Sequence, residues 1–452
     1  VDAITNIFKA YDIRGEVGTQ LNAQTVEQIA RAYANWLPIK GTVAVGHDMR
    51  PDSKDLAQAF IKGLTDQGVD VWDIGEVTSD MIYFAVGNWD LAGGAVITAS
   101  HNPGKDNGIK LYRDKVTAVG LDSGLSEIRD KFLAGDLGKP ADTPGTVEPH
   151  DITEDWINHA LTFMDADKTK EFRIAVDAGN GMAGKIFPEL EPYVPWDVHE
   201  MYFELDGTFP NHEANPMKPE NMQDLVTKVK ELKLDFGVAF DGDGDRAGFV
   251  DDTGRIVSGS SLMLIMAKHY LKKYPGATVV RDARMSHAID ELVEKWGGKT
   301  VVTPVGRVNV GTKMREISAP FGGEETGHFY FVENNDADSG LIAVLVAIQA
   351  LSDSGKKLSQ LVDEYRLYAM GPETNFVVAD KATTFARLRE AFKDGQQTDL
   401  DGLSVDFADG SWFNVRASNT EPVMRLNAEA KTQGELDQLV AKVTKIIQGE
   451  QA

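Results

Sequence analysis

The 452-residue chain contains no cysteine. Disulfides, thiolate nucleophiles and Cys-ligated zinc are therefore excluded, and the absence fits a reducing compartment. The chain also lacks a basic arm or basic run. With a formal net charge of −24 it is a poor match for nucleic acid or for an acidic membrane surface. That charge leaves room for an anionic small substrate, because a few clustered cations set the local field. Long apolar runs are missing too. The longest, Leu341 to Leu351, contains Gln349 and is too short to span a bilayer. The first residues, VDAITNIFKAYDIRG, show no cationic segment ahead of an apolar core, so no signal peptide is expected and the cytoplasm is the default location.

What is present is ordinary globular composition, with 42% hydrophobic and 26% charged residues. The length exceeds what one core supports and suggests three or four domains. Strand-like and helix-like segments alternate, the pattern of α/β domains with mixed, mostly parallel sheets. Strands are expected at Thr42–Gly46, Val69–Ile74, Gly94–Thr98, Arg173–Asp177, Phe236–Phe240 and Thr278–Val280. Most end in Gly, Asp or Ser, where the chain is expected to turn toward a helix. Gly138–Pro149 (GKPADTPGTVEP) reads as a linker, with further breaks after Asp252–Gly254 and near Met370–Pro372. The expected units are 1–145, 146–250, 251–367 and 368–452. In the last, Leu403, Val405 and Phe407 alternate with Ser404, Asp406 and Ala408, an antiparallel-sheet pattern. A closing helix carries Leu436, Leu439, Val440, Val443, Ile446 and Ile447 on one face, with Thr432 and Glu435 as a capping box. This unit is expected to be α+β.

Four stretches carry chemistry. Phe236–Arg246 (FGVAFDGDGDR) ends an apolar strand in Asp241, Asp243 and Asp245, with Gly242 and Gly244 between them. Carboxylates this close raise each other's pKa unless a cation sits among them, and magnesium, a hard oxygen-seeking ion, fits best. A calcium loop is excluded, because its sixth and twelfth positions hold Arg246 and Asp252 instead of Gly and Glu. A solvated acidic turn is the plain alternative. Trp412–Arg425 (WFNVRASNTEPVMR) crowds Arg416, Ser418, Asn419 and Thr420 into one transition, suited either to a phosphate monoester or to a self-capping polar turn. Phe321–Phe331 (FGGEETGHFYF) offers carboxylates and a hydroxyl that suit vicinal sugar hydroxyls, or else a plain hairpin. Thr98–Tyr112 (TASHNPGKDNGIKLY) sets Ser100 beside His101 and reaches Lys110 after a turn. A hydrolase nucleophile is one reading, though no strand–GxSxG–helix elbow is present. Ser100 could also cap a helix starting after Asn102–Pro103. A third reading makes Ser100 a phosphoryl carrier beside magnesium at the three aspartates, with Lys110 near enough to take a proton; it uses all these parts at once.

These motifs resemble the α-D-phosphohexomutase family, in its bacterial phosphomannomutase/phosphoglucomutase branch, along essentially the whole chain. FKAYDIRG (Phe8–Gly15), TASHNP (Thr98–Pro103), DGDGDR (Asp241–Arg246), GEETGH (Gly323–His328) and RASNTEP (Arg416–Pro422) occur in the family's order. The resemblance implies four domains around a central cleft, each giving one loop. Ser100 is then the phosphoserine, and Asp241, Asp243 and Asp245 hold Mg²⁺ with it. Glu324 and Thr326 grip the sugar's 3- and 4-hydroxyls, and His328 assists near it. Tyr11 and Arg14 line the first-domain side, while Arg416, Ser418, Asn419 and Thr420 hold the non-reacting phosphate.

The implied reaction moves a phosphoryl group between O1 and O6 of a hexose. Hexose 1,6-bisphosphate serves as primer and intermediate, and turns around in the cleft. Arg246 offsets transition-state charge. Mannose and glucose are both expected substrates, since they differ at C2, which these contacts do not read. A phosphoglucosamine mutase or a Mg-dependent sugar phosphatase are the alternatives. Two positions depart from the family pattern: Arg284 replaces a usual lysine, and Arg307 stands where many members carry a histidine proposed for proton transfer. Arginine stays protonated and cannot be a base, which shifts that role toward Lys110 or His101. A hinge is expected in the Ala369–Glu373 stretch.

Overall fold

The computed structural model describes residues 2–417 and 423–449. Four sheets follow one another along the chain, the first three built alike. In the first, Val43–His47 lies parallel to Val71–Glu76 and Gly93–Ile97, and Asp106–Arg113 then runs antiparallel to Gly93–Ile97. In the second, Arg173–Asp177 lies parallel to Asp197–Met201 and Phe236–Phe240, and Ala247–Asp251 runs back antiparallel. The third repeats the plan, with Thr278–Asp282 parallel to Lys299–Thr303 and Phe321–Gly323, and Phe329–Phe331 antiparallel. The fourth sheet is antiparallel throughout, and Leu403 and Val405 are buried while Ser404 and Asp406 are half-buried, as their alternation requires. Architecture and class are those expected: three mixed α/β sheets and a C-terminal α+β unit.

Near-continuous apolar runs such as FGVAF form strands covered on both faces, and all five residues of Phe236–Phe240 are buried. One apolar core runs through the first three sheets, joining Tyr83 and Val96 to Val176 and Phe240 and on to Phe321 and Val344. The fourth unit has a separate core, with Phe413, Val415 and Leu426 packed on Leu436, Val443 and Ile447. Its final helix, Gln433–Gln448, carries the expected capping box: Glu435 N donates to Thr432 Oγ1 at 3.3 Å, and Thr432 N donates to Glu435 Oε2 at 3.0 Å. The apolar Leu341–Leu351 run lies in a buried helix, Gly340–Ser354. No helix among the described residues is long and apolar enough to cross a membrane.

Two local expectations are corrected. The strands that carry the motifs do not run on toward helices. At Ile97–Asp106, Phe240–Ala247 and Gly323–Phe329 the chain reverses into an antiparallel neighbour, so Ser100 caps no helix. Left-handed residues make these reversals: Ser100 at φ 52°, Gly244 at 77° and Gly327 at 83°. The end of the Gly138–Pro149 stretch is also structured, since Val147–Pro149 pairs parallel with Val71–Asp73 as an edge strand.

Candidate active site

The reversals bring the serine and acidic loops into contact. A Cβ on Gly242 would lie 2.4 Å from the Ser100 carbonyl oxygen, so only glycine permits the approach. Ser100, in a left-handed conformation uncommon outside glycine, donates its Oγ–H to Asp241 Oδ2 at 2.7 Å, with Oγ 3.1 Å from His101 Nδ1. Arg246 Nε donates to the same Asp241 oxygen at 2.9 Å, and Arg246 Nη2 lies 2.5 Å from His101 Nδ1. His101 therefore accepts from Arg246. Burial, then the charges of Arg246 and Arg14, hold its pKa well below the usual histidine value, so the ring is neutral.

Lys110, on the antiparallel strand, reaches across to Asp243 Oδ2 and Asp245 Oδ2, both at 2.5 Å. Burial alone would lower its pKa, but the two carboxylates override that and push it up, so it is an ammonium. Asp243, although buried, is held far below the usual carboxylate range by Lys110 and by hydroxyl donors. Asp241 moves the opposite way: burial raises it more than Arg246 lowers it.

The three aspartates can offer ligand oxygens within 4.8 Å of one another. Asp243 Oδ1 and Asp245 Oδ1 are buried without a hydrogen-bond partner. Buried carboxylate oxygens without donors are costly unless a cation meets them, and an all-oxygen donor set suits Mg²⁺.

Beside this centre, His328 Nδ1 lies 2.6 Å from Asp338 Oδ2 and 3.9 Å from Asp245 Oδ1. Burial lowers its pKa, yet the flanking Asp245 and Asp338 carboxylates win and raise it. Glu324 is 3% exposed, accepts from Tyr330 OH at 2.6 Å, and has its pKa raised by burial. Arg284 links Asp282, Glu324 Oε2 at 3.5 Å and Thr326 Oγ1 at 3.3 Å. Tyr11 OH donates to Val305 O at 3.1 Å and lies within electrostatic reach of Glu324 and Arg416. Arg14 binds Asp12, Ala99 O and Asn102 Oδ1.

Arg307 donates to Tyr83 OH at 3.0 Å and to Tyr112 OH, tying the third unit to the first. Arg416 pairs with Glu373 at 2.6 Å. Ser418, Asn419 and Thr420 lie outside the described residues.

Several supporting residues had escaped sequence reasoning. Arg50 is buried and donates to the carbonyls of Ser100 (2.8 Å), Asn102 (2.6 Å), Pro103 (2.9 Å) and Asp106 (2.8 Å), with Asp48 3.3 Å from its Nε. This guanidinium sets the curvature of the serine loop. Thr78, Ser79 and Asp80 open a helix, Ser79–Asn88, that is buried from Ser79 to Val86. A polar triplet heading an otherwise apolar helix was the available signal.

Comparison with known proteins identifies the family. Profiles for phosphoglucomutase/phosphomannomutase α/β/α domains I, II and III match residues 5–137, 154–254 and 258–368, and the profile for the family's C-terminal domain matches 373–446. A protein of Xanthomonas campestris pv. campestris named "Phosphohexose mutases" is 40% identical over 429 residues, covering 94% of this chain and 95% of the relative. A phosphomannomutase/phosphoglucomutase of Pseudomonas aeruginosa is 36% identical over 441 residues, covering 96% and 94%. A crystal structure of a phosphoglucomutase/phosphomannomutase family protein from Burkholderia thailandensis superimposes with a TM-score of 0.91 at 30% identity, covering 98% and 97%. The chain belongs to the phosphoglucomutase/phosphomannomutase family.

Proposed function

We propose that this chain is a phosphohexomutase that interconverts hexose 1-phosphates and hexose 6-phosphates of mannose and glucose in the cytoplasm. The observation that carries the reading is Ser100 Oγ at 2.7 Å from Asp241, one of three buried aspartates that pair with Lys110 and Arg246. The relatives named phosphomannomutase and phosphomannomutase/phosphoglucomutase support the substrate class.

In this reading phosphorylated Ser100 transfers its phosphoryl to the free hydroxyl of a hexose phosphate. The O–P bond to Ser100 breaks as the O–P bond to the sugar forms, and the hydroxyl proton leaves to a base. The resulting hexose 1,6-bisphosphate turns around and returns its other phosphoryl to Ser100. Such transfer depends on alignment and charge neutralisation more than on covalent chemistry. Mg²⁺, held by Asp241, Asp243, Asp245 and Ser100, would supply that neutralisation. Lys110 and Arg246 add fixed positive charge against the serine. His101, with Nδ1 engaged by Arg246 and its pKa held low, is a weak base, and Lys110, clamped as an ammonium, suits charge stabilisation. Glu324 and Thr326 hold sugar hydroxyls, assisted by Arg284 and His328. Tyr11, Arg14 and Arg307 line the cleft. Arg416 with Ser418, Asn419 and Thr420 receives the distal phosphate, and the separate core of the fourth unit suits closure about Ala369–Glu373.

The test is transfer of labelled phosphate. After incubation with a labelled hexose 1,6-bisphosphate, label is expected on Ser100 by peptide mapping and is expected to pass to unlabelled mannose 1- or glucose 1-phosphate. Ser100→Ala is expected to abolish both. Coupled assays on mannose 1-, glucose 1- and glucosamine 1-phosphate rank the sugars. Net release of inorganic phosphate without isomerisation, or preference for the amino sugar, overturns the proposal.

A further inference from the structure

We propose that Ser79 is a positioning residue of the acidic centre: its hydroxyl, contributed by the first unit, orients Asp243 toward the cation. This rests on the functional reading above, but concerns a residue outside the motif loops. Ser79 is 0% exposed and begins the helix Ser79–Asn88, far in sequence from the loop it serves. It makes two bonds to one residue. Its backbone N donates to Asp243 O at 3.0 Å, and its hydroxyl donates to Asp243 Oδ2. The hydroxyl oxygen in turn accepts from Lys110 Nζ at 3.2 Å, while Lys110 also donates to Asp243 Oδ2 at 2.5 Å. Ser79, Lys110 and Asp243 thus form a closed triangle in which two donors, Ser79 and Lys110, meet on a single Asp243 oxygen.

The consequence lies in the other oxygen. With Oδ2 saturated by two donors, Asp243 Oδ1 is left buried and without a hydrogen-bond partner. A carboxylate constrained in this way presents one defined oxygen rather than rotating between two. Groups that fix a ligating carboxylate from behind commonly change metal affinity 10- to 100-fold. The backbone bond fixes the loop and the hydroxyl fixes the carboxylate, and a substitution can separate the two, because only the hydroxyl is removed by side-chain change. Ser79 also joins the acidic loop to the unit that carries Ser100, so the relative position of nucleophile and acid cluster passes through it.

The experiment measures Mn²⁺ binding directly, by electron paramagnetic resonance of free ion and by calorimetry with Mg²⁺, in the full chain and in Ser79→Ala, Ser79→Cys and Ser79→Thr. Ser79→Ala and Ser79→Cys are expected to weaken binding about 10-fold or more. Ser79→Thr, which keeps the hydroxyl, is expected to restore it. Ser79→Cys fills the same space with a weak donor, so it reads the hydroxyl even if Ser79→Ala unfolds. Parent-like Mn²⁺ affinity in a folded Ser79→Cys variant, or failure of Ser79→Thr to restore binding, overturns the inference and leaves the mutase reading intact. A parent protein that transfers no phosphoryl group in the labelling test overturns the mutase reading instead.

Discussion

Replacing Arg50 by methionine tests whether a single buried guanidinium sets the serine loop. The side chain makes four bonds to loop carbonyls, at 2.6 to 2.9 Å, and pairs with Asp48. Hydrogen bonds to a charged group contribute roughly 1.5–3 kcal/mol each, but they act as a unit and water reaches the exposed side of the loop, so they do not sum. Breaking a buried ion pair by removing one partner costs about 3–5 kcal/mol, because the survivor is left uncompensated. Asp48 is such a survivor: it is 1% exposed, and burial already raises its pKa. A loss of about 3–5 kcal/mol is therefore expected for Arg50→Met.

The double variant Asp48→Asn/Arg50→Met removes the orphan charge and is expected to recover about 1–3 kcal/mol of that, giving a measurable coupling energy. Denaturant midpoints read the stability. Hydrogen exchange reads the loop directly, at Asn102 N–H, bonded to Ala99 O, and at Asp106 N–H, bonded to Pro103 O. Because a displacement near 1 Å can cost on the order of 100-fold in rate, kcat is expected to fall by about that factor. A variant within twofold of the parent in kcat, with unchanged exchange at those amides and an unchanged midpoint, refutes the reasoning.

Two further expectations follow from the same contacts. Gly242→Ala places a methyl 2.4 Å from the Ser100 carbonyl oxygen, so it is expected to stay folded by circular dichroism while kcat falls about 100-fold. Asp80, 1% exposed and bonded by Ser339 Oγ at 2.5 Å, has its pKa raised by burial to about 7. The folded protein therefore holds a proton that the unfolded chain releases between pH 4 and 7, roughly, and stability falls as pH rises through that window. Asp80→Asn removes this titration and is expected to be more stable than the parent at pH 8, by up to about 4 kcal/mol at 1.36 kcal/mol per pKa unit, with the difference vanishing toward pH 4. Denaturant midpoints at both pH values check it, and parallel pH slopes in the two proteins would speak against it.

Local chemistry made much of this molecule legible. Short apolar stretches bounded by polar or turn residues read as covered strands, so RIAVD at Arg173–Asp177 and FGVAF at Phe236–Phe240 were readable to the residue. The capping box at Thr432 and Glu435, and the alternation at Leu403 and Val405, are set by neighbours three or two positions apart. Close acidic spacing in DGDGDR pointed to a cation because repulsion among carboxylates is itself a short-range property.

The sequence by itself thus determined the strand cores, the final helix and the acidic loop. Only the tertiary structure decided that the motif strands reverse rather than feed helices, that Lys110 is an ammonium and His101 neutral, and that Arg50 and Ser79 support the centre. Those outcomes depend on burial and on bonds between residues 50 to 164 positions apart, such as Arg50 with Ser100 and Ser79 with Asp243. Which carboxylate meets which cation is settled when the units pack together, and no periodicity along the chain encodes it.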